Sequence, residues 1–210
     1  QLDAPLKALL PGSAGPIFYA GTTGHGDDPA TNGGFLRDDS LVVVVLITDE
    51  DDCSTPNDAI FDPSSGTYTG DLNARCIQYA DQLYPITRFV DGLRSLRPGH
   101  PDEVVFAAIT GVPEDMVGTG PGGSTDYDAL LADARMSNAL VTLPSGMQGV
   151  QPACSSMGHG TAAPAVRIAE VARAFGDDGV VRSICANDFT PAVDVVLDKV
   201  GAALFAKACP

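Results

Sequence analysis

Four consecutive carboxylates, Asp49-Glu50-Asp51-Asp52, form the densest chemical feature of the chain. Adjacent like charges repel and raise one another's pKa values unless a cation or a donor intervenes. Oxygen-only ligands suit Ca²⁺ or Mg²⁺ rather than Zn²⁺. Asp49, Glu50, Asp51 and Asp52 are therefore candidate metal ligands for Ca²⁺ or Mg²⁺. The competing reading is a solvated acidic loop in which an Asp caps the segment that follows. The alternate-residue spacing of an EF-hand loop is absent, so that motif is not claimed. Gly24-His25-Gly26-Asp27-Asp28 offers a histidine and two carboxylates, but reads better as a flexible surface loop. Gly158-His159-Gly160-Thr161 superficially resembles pieces of subtilase motifs. Ala162 follows Thr161, no nucleophilic Ser is in place, and no Asp/His/Ser order makes a triad. Gly118 to Ser124 is glycine-rich, yet lacks the lysine of a phosphate-binding loop. Arg135 and Arg167 read as charges on helix faces, and Tyr79, Tyr84 and Tyr127 as packing residues.

The acidic run follows Leu41-Val-Val-Val-Val-Leu-Ile47, an unbroken apolar and mostly β-branched stretch. Such a run is the pattern of a strand buried on both faces. In open α/β sheets the ligand site lies just beyond the carboxyl ends of strands of this kind. The sequence predicts a short helix over 2–10, a long loop over 11–40 and a second loop over 53–71. A helix capped by Asp71 is expected to run to about Arg97, kinked or split at Pro85. A second apolar strand covers 104–110, a helix 127–136, a helix 162–175, a third strand 180–185 and a last helix about 191–208. Residues 114–161 read mostly as loop. Alternating elements of this kind give an α/β fold, a parallel sheet with helices on both faces. Three core strands, about 41–47, 104–110 and 180–185, with long loops make a small sheet for 210 residues read as one domain.

The formal net charge of −15 argues against nucleic acid and against an anionic membrane surface. No stretch approaches the roughly 20 apolar residues that a transmembrane segment needs. Gln1 as first residue implies an upstream removal or a fragment. Five cysteines, Cys53, Cys76, Cys154, Cys185 and Cys209, form no CxxC pair and lack zinc-finger histidines. They read either as buried thiols of a cytosolic protein or, preferred, as two disulfides of an extracytoplasmic one. In the second reading Cys53–Cys76 closes the acidic loop and Cys154–Cys185 ties a Gly/Ser-rich loop to a late strand. Cys209 is then unpaired or inter-chain.

A hydrophobic strand ending in Thr-Asp, then a loop and helix, resembles the fourth strand of von Willebrand factor type A (vWA) domains. The resemblance is closest to a bacterial exported branch. It rests on Gly-Phe-Leu-Arg (34–37), Thr-Asp-Glu-Asp-Asp-Cys-Ser (48–54), Gly-Val-Pro (111–113) and Ser-Ile-Cys-x-x-Asp-Phe (183–189), and covers roughly residues 34–208. The resemblance implies a Rossmann-like vWA domain and a metal-ion-dependent adhesion site in which Asp49 matches the Asp after the fourth strand. The Asp-x-Ser-x-Ser loop of that site is absent; Asp39-Ser40 and Ser64-Ser65 lie in the wrong context. The chain thus resembles the C-terminal half of the domain, without its N-terminal strands. The function expected is an exported, non-catalytic binding or scaffold domain, a structural subunit of a larger periplasmic, cell-surface or secreted assembly. Its partner is another protein or the missing N-terminal half, and no nucleic acid. The alternative is a metal-dependent hydrolase using the acidic loop 49–52, helped by His25 or His159.

Overall fold

The computed structural model describes residues 1–13, 15–118, 124–142, 145–158 and 160–208. His159 and Cys209, and most of the glycine-rich 118–124 stretch, lie outside the described residues. The helices are α1 (Asp3–Leu9), α2 (Arg75–Gln78), α3 (Ile86–Arg94), α4 (Tyr127–Ala132), α5 (Val166–Ala174) and α6 (Thr190–Ala208). The strands are β1 (Val42–Ile47), β2 (Val104–Thr110), β3 (Leu140–Thr142), β4 (Gln148–Val150), β5 (Cys154–Ser156), β6 (Gly160–Ala162) and β7 (Gly179–Ser183).

The main sheet is three-stranded and parallel, in the order β1-β2-β7. β2 is central, and all seven of its residues are buried. Register pairs Val42 with Val104 and Val44 with Phe106, so the even-numbered side chains of β1 share a face with Phe106 and Ala108. That face carries the main core, where α3 and α5 contribute Phe89, Leu93, Ile168 and Val171. Phe106 stacks on Phe175 at 5.6 Å between ring centroids. On the opposite face α6 sets Val195 against Ala107 and Val180. Helices on both faces of a parallel sheet are thus present.

Several elements differ from the sequence reading. The helix expected over 71–97 is split at Pro85 as expected, with α3 after it, but its first half is broken into short turns and the four-residue α2. Asp71 does cap the first turn by accepting from the Asn73 N–H, and Pro85 stands immediately before α3 with extended backbone. A proline cannot donate into a preceding turn, so the helix restarts after it. Residues 140–161, read mostly as loop, and Ala162 form two antiparallel hairpins, β3–β4 and β5–β6. β6 takes the residues expected to open the helix at 162, so α5 starts at Val166.

Both expected disulfides are present: Cys53–Cys76 and Cys154–Cys185, with Cα atoms 5.6 and 6.0 Å apart. The second ties β5 to the residues just after β7.

Candidate functional site: the crest and open edge of strand β1

β1 is a strand, as its composition dictates, but it is not buried on both faces. It lies at the edge of the main sheet. Val42 and Val44 are buried, whereas Val43, Val45 and Ile47 are 36, 47 and 66% exposed. The reason is positional. α6 covers the odd-numbered face over β2 and β7, and that cover stops short of β1.

The backbone gives the same three residues a second property. Thr48 donates its N–H to the Ile109 carbonyl at 3.1 Å. Backbone groups alternate sides along a strand, so those of the even-numbered residues turn toward β2. Those of Val43, Val45 and Ile47 turn outward, off the sheet. Among the described residues, one apolar row therefore presents unpaired main-chain donors and acceptors at its rim and uncovered side chains on its face. Natural edge strands are usually blunted by charges, Pro, bulges or shortness. None of the six residues of β1 is charged or Pro.

At the carboxyl end of β1 the four acids part company. Residues 163–165 cross this crest, where the Ala163 N–H bonds to the Asp49 carbonyl and the Ala165 N–H to that of Gly111. Gly111 permits the approach, since a Cβ there would lie 1.8 Å from the Ala163 oxygen. This crossing delivers the start of α5 onto the acidic loop. Ala165, before α5, has no side chain able to cap it. Asp51 supplies the cap from a distant element: its carboxylate accepts the N–H of Arg167 at 3.1 Å and of Ile168 at 3.3 Å. Asp52, whose side chain is fully buried, accepts from the Arg167 guanidinium at 3.2 Å, the Leu2 N–H at 2.8 Å and the Ser54 hydroxyl at 2.6 Å. Arg167 also donates to the Tyr84 carbonyl at 2.6 Å.

Environment drives the two neighbours in opposite directions. Burial pushes the Asp51 carboxyl up to about 7, against the N–H donors that favour its charge. Burial would raise Asp52 too. The Ser54 hydroxyl, the Leu2 N–H and Arg167 pull the other way, and Asp52 is held below the usual range. Glu50 is raised, by partial burial first and then by the charge of Asp49.

A raised folded pKa means that native Asp51 holds a proton the unfolded chain has already lost. Its contribution is therefore fully present below about pH 4 and is lost as pH rises through about 7. The expected outcome is that Asp51→Asn flattens this loss between pH 5 and pH 8. The wild-type excess is at most roughly 4 kcal/mol. Urea titrations of both chains at the two pH values measure it.

The acids thus do not converge as a ligand set. Asp51 and Asp52 are consumed by α5, and only Asp49 and Glu50 turn to solvent. Among the described residues, no three His, Cys, Asp or Glu side chains come together in a group that could hold a metal ion. Hard cations take six or more oxygens, and the donors left on the run do not fit one unaided. Asp49 lines a cleft of about 320 Å³ with Ser156, Thr161, Asn187 and Phe189. His25 is elsewhere, its N–H bonded to the Lys7 carbonyl at the end of α1. In the loop around it Asp27 accepts from the Gly12 N–H and the Ser13 hydroxyl.

Arg167, read from sequence as a helix-face charge, is instead the central cation of the crest. Arg135 is ion-paired to Asp115 and Asp133. Among the described residues, no helix is long and apolar enough to cross a membrane. Compared with protein-family models, with curated proteins and with solved structures, the chain shows no match.

Proposed function

We propose that this chain is a non-catalytic binding or scaffold domain of an extracytoplasmic assembly, and that another polypeptide segment completes its sheet at β1. The observation that carries this reading is the row Val43, Val45, Ile47, exposed on its face and unpaired at its rim. A run apolar on both sides suits a strand inside a parallel sheet, and among the described residues β1 has one neighbour, β2. An open, flat, apolar edge left bare is an aggregation hazard. A cognate strand seated on it removes that hazard and supplies the missing hydrogen bonds.

The two disulfides fit an oxidising compartment. In the vWA-like reading β1 is the fourth strand of a larger sheet, and the N-terminal strands of that sheet are the segment that completes it. In this reading a divalent cation enters only with the partner. Asp49 supplies one carboxylate at the crest, and the completing segment brings the other oxygens.

Sizing of native material under mild, non-denaturing conditions tests the proposal. The expected species is larger than the 21.6 kDa chain and contains a second polypeptide segment. A lone, compact, cooperatively folding chain in its native setting would overturn it.

A further inference from the structure

We propose that a cavity beside β7 is a binding site for a small organic acid, one carboxylate on an apolar body. β7 lies at the other side of the main sheet from β1, so this site is independent of the edge reading above.

The cavity measures about 480 Å³ and lies between β7, the middle of α6 and the residues that lead into α4. Clefts of a few hundred cubic ångströms, mostly apolar with a few convergent polar groups, are where small molecules bind. Val180, Val195 and Ala202 supply apolar wall, and Thr125, Tyr127 and Arg182 stand among them.

The hydroxyls of Thr125 and Tyr127 are both buried, and neither has a hydrogen-bond partner among the described residues. Folded proteins leave few buried polar atoms in that condition, because each forfeits its bonds to water without replacement. Here two such atoms belong to one cavity, on residues two apart in the chain. A bound group that brings acceptor oxygens removes both deficits at once. Burial pushes the Tyr127 phenol up to about 12, so near neutral pH it is an O–H donor rather than an anion. Arg182 is buried in the same wall, with one N–H on the Val181 carbonyl. Two hydroxyl donors beside a guanidinium match a carboxylate, whose two oxygens accept about four hydrogen bonds.

The remaining charges select a monoanion. Asp177 and Asp198 also line the cavity, and both are exposed to solvent. A phosphate dianion meets twice the repulsion from them, and from a chain that carries −15. A monocarboxylate meets less and still takes up the same donors, while its apolar part lies against Val180, Val195 and Ala202.

The test is calorimetry and ligand-observed NMR on the full chain. The probes are the straight-chain acids from acetate to octanoate and phenylacetate, each set against its neutral alcohol, with phenyl phosphate as the dianion. At least one acid should bind at least about tenfold more tightly than its alcohol, and phenylacetate more tightly than phenyl phosphate. Tyr127→Phe keeps the ring and deletes the unpartnered hydroxyl. It should leave the melting temperature unchanged or raise it by roughly 2–4 °C, and weaken acid binding about tenfold. Thr125→Val should weaken it in the same direction. A tyrosine that only packs would leave acid binding untouched. No binding by any acid, binding no tighter than the alcohols, a preference for phenyl phosphate, or full acid affinity in both variants would each overturn the proposal.

Discussion

Asp52→Ala should destabilise the fold by about 3–5 kcal/mol, because it removes one side of a buried ion pair and strands the other. For a chain of this size that is a fall in melting temperature of roughly 6–20 °C. Asp52 is fully buried and serves the Arg167 guanidinium, the Leu2 N–H and Ser54 together. Among the described residues, alanine leaves the guanidinium beside Phe89 with the Tyr84 carbonyl alone, and an uncompensated buried charge is far costlier than a lost surface contact. Replacing both partners with apolar residues, as in Asp52→Leu with Arg167→Met, should cost less than the single change, since no charge is left behind. A double-mutant cycle by thermal and urea unfolding decides the matter. Acid should act in the same direction. The lowered Asp52 carboxyl gives stability that is present above its unfolded value near 3.8 and is lost as pH falls through its folded one. A cycle in which Asp52→Ala costs less than the double replacement would mean that the pair does not hold the crest together.

The second large effect falls on association. Val45→Lys should leave the isolated chain folded, with stability changed by no more than about 0.5 kcal/mol, because the side chain points to solvent. It should weaken partner binding at least about 100-fold. A lysine at the centre of a completed sheet is a buried, unpaired charge costing about 3 kcal/mol or more, and each 1.4 kcal/mol is tenfold. The same lysine is the device natural edges use against strand pairing. Val44→Lys, one residue away, is the contrast: Val44 is buried in the main core, so that variant should fail to fold. Co-purification of the partner with wild type and Val45→Lys reads the effect. Equal retention by both would place the interface elsewhere.

Much of the frame was legible in the sequence. The apolar runs 41–47 and 104–110 became β1 and β2 with nearly the expected limits, and the cysteine pairs closed as expected. The misreading of β1 as doubly buried is itself informative. A strand's composition records every neighbour it was shaped for, and Val43, Val45 and Ile47 record one more than the described residues supply. The first half of the helix over 71–97 misled because Leu83, Ile86, Phe89, Val90, Leu93 and Leu96 recur every three or four residues, whereas Leu72, Ile77 and Leu83 stand five and six apart, where short turns surround the Cys53–Cys76 link. The three-residue strands of the two hairpins are too short to show an alternating pattern.

The acidic run could not be resolved from sequence. Whether an Asp caps a helix or binds a cation depends on where α5 begins in space, more than 100 residues further on. The available signal was the uncapped start of α5 at Ala165, with Arg167 two residues later. A helix without its own cap needs an acceptor from elsewhere.

Amide hydrogen exchange along β1 tests the open edge most directly. In the isolated chain the N–H groups of Val43, Val45 and Ile47 should exchange fast, while those of Val44 and Leu46, bonded to β2, exchange slowly. In the native assembly all five should be slow. Uniform protection in the isolated chain, or continued fast exchange of the odd-numbered residues in the assembly, would contradict an edge built to receive another strand.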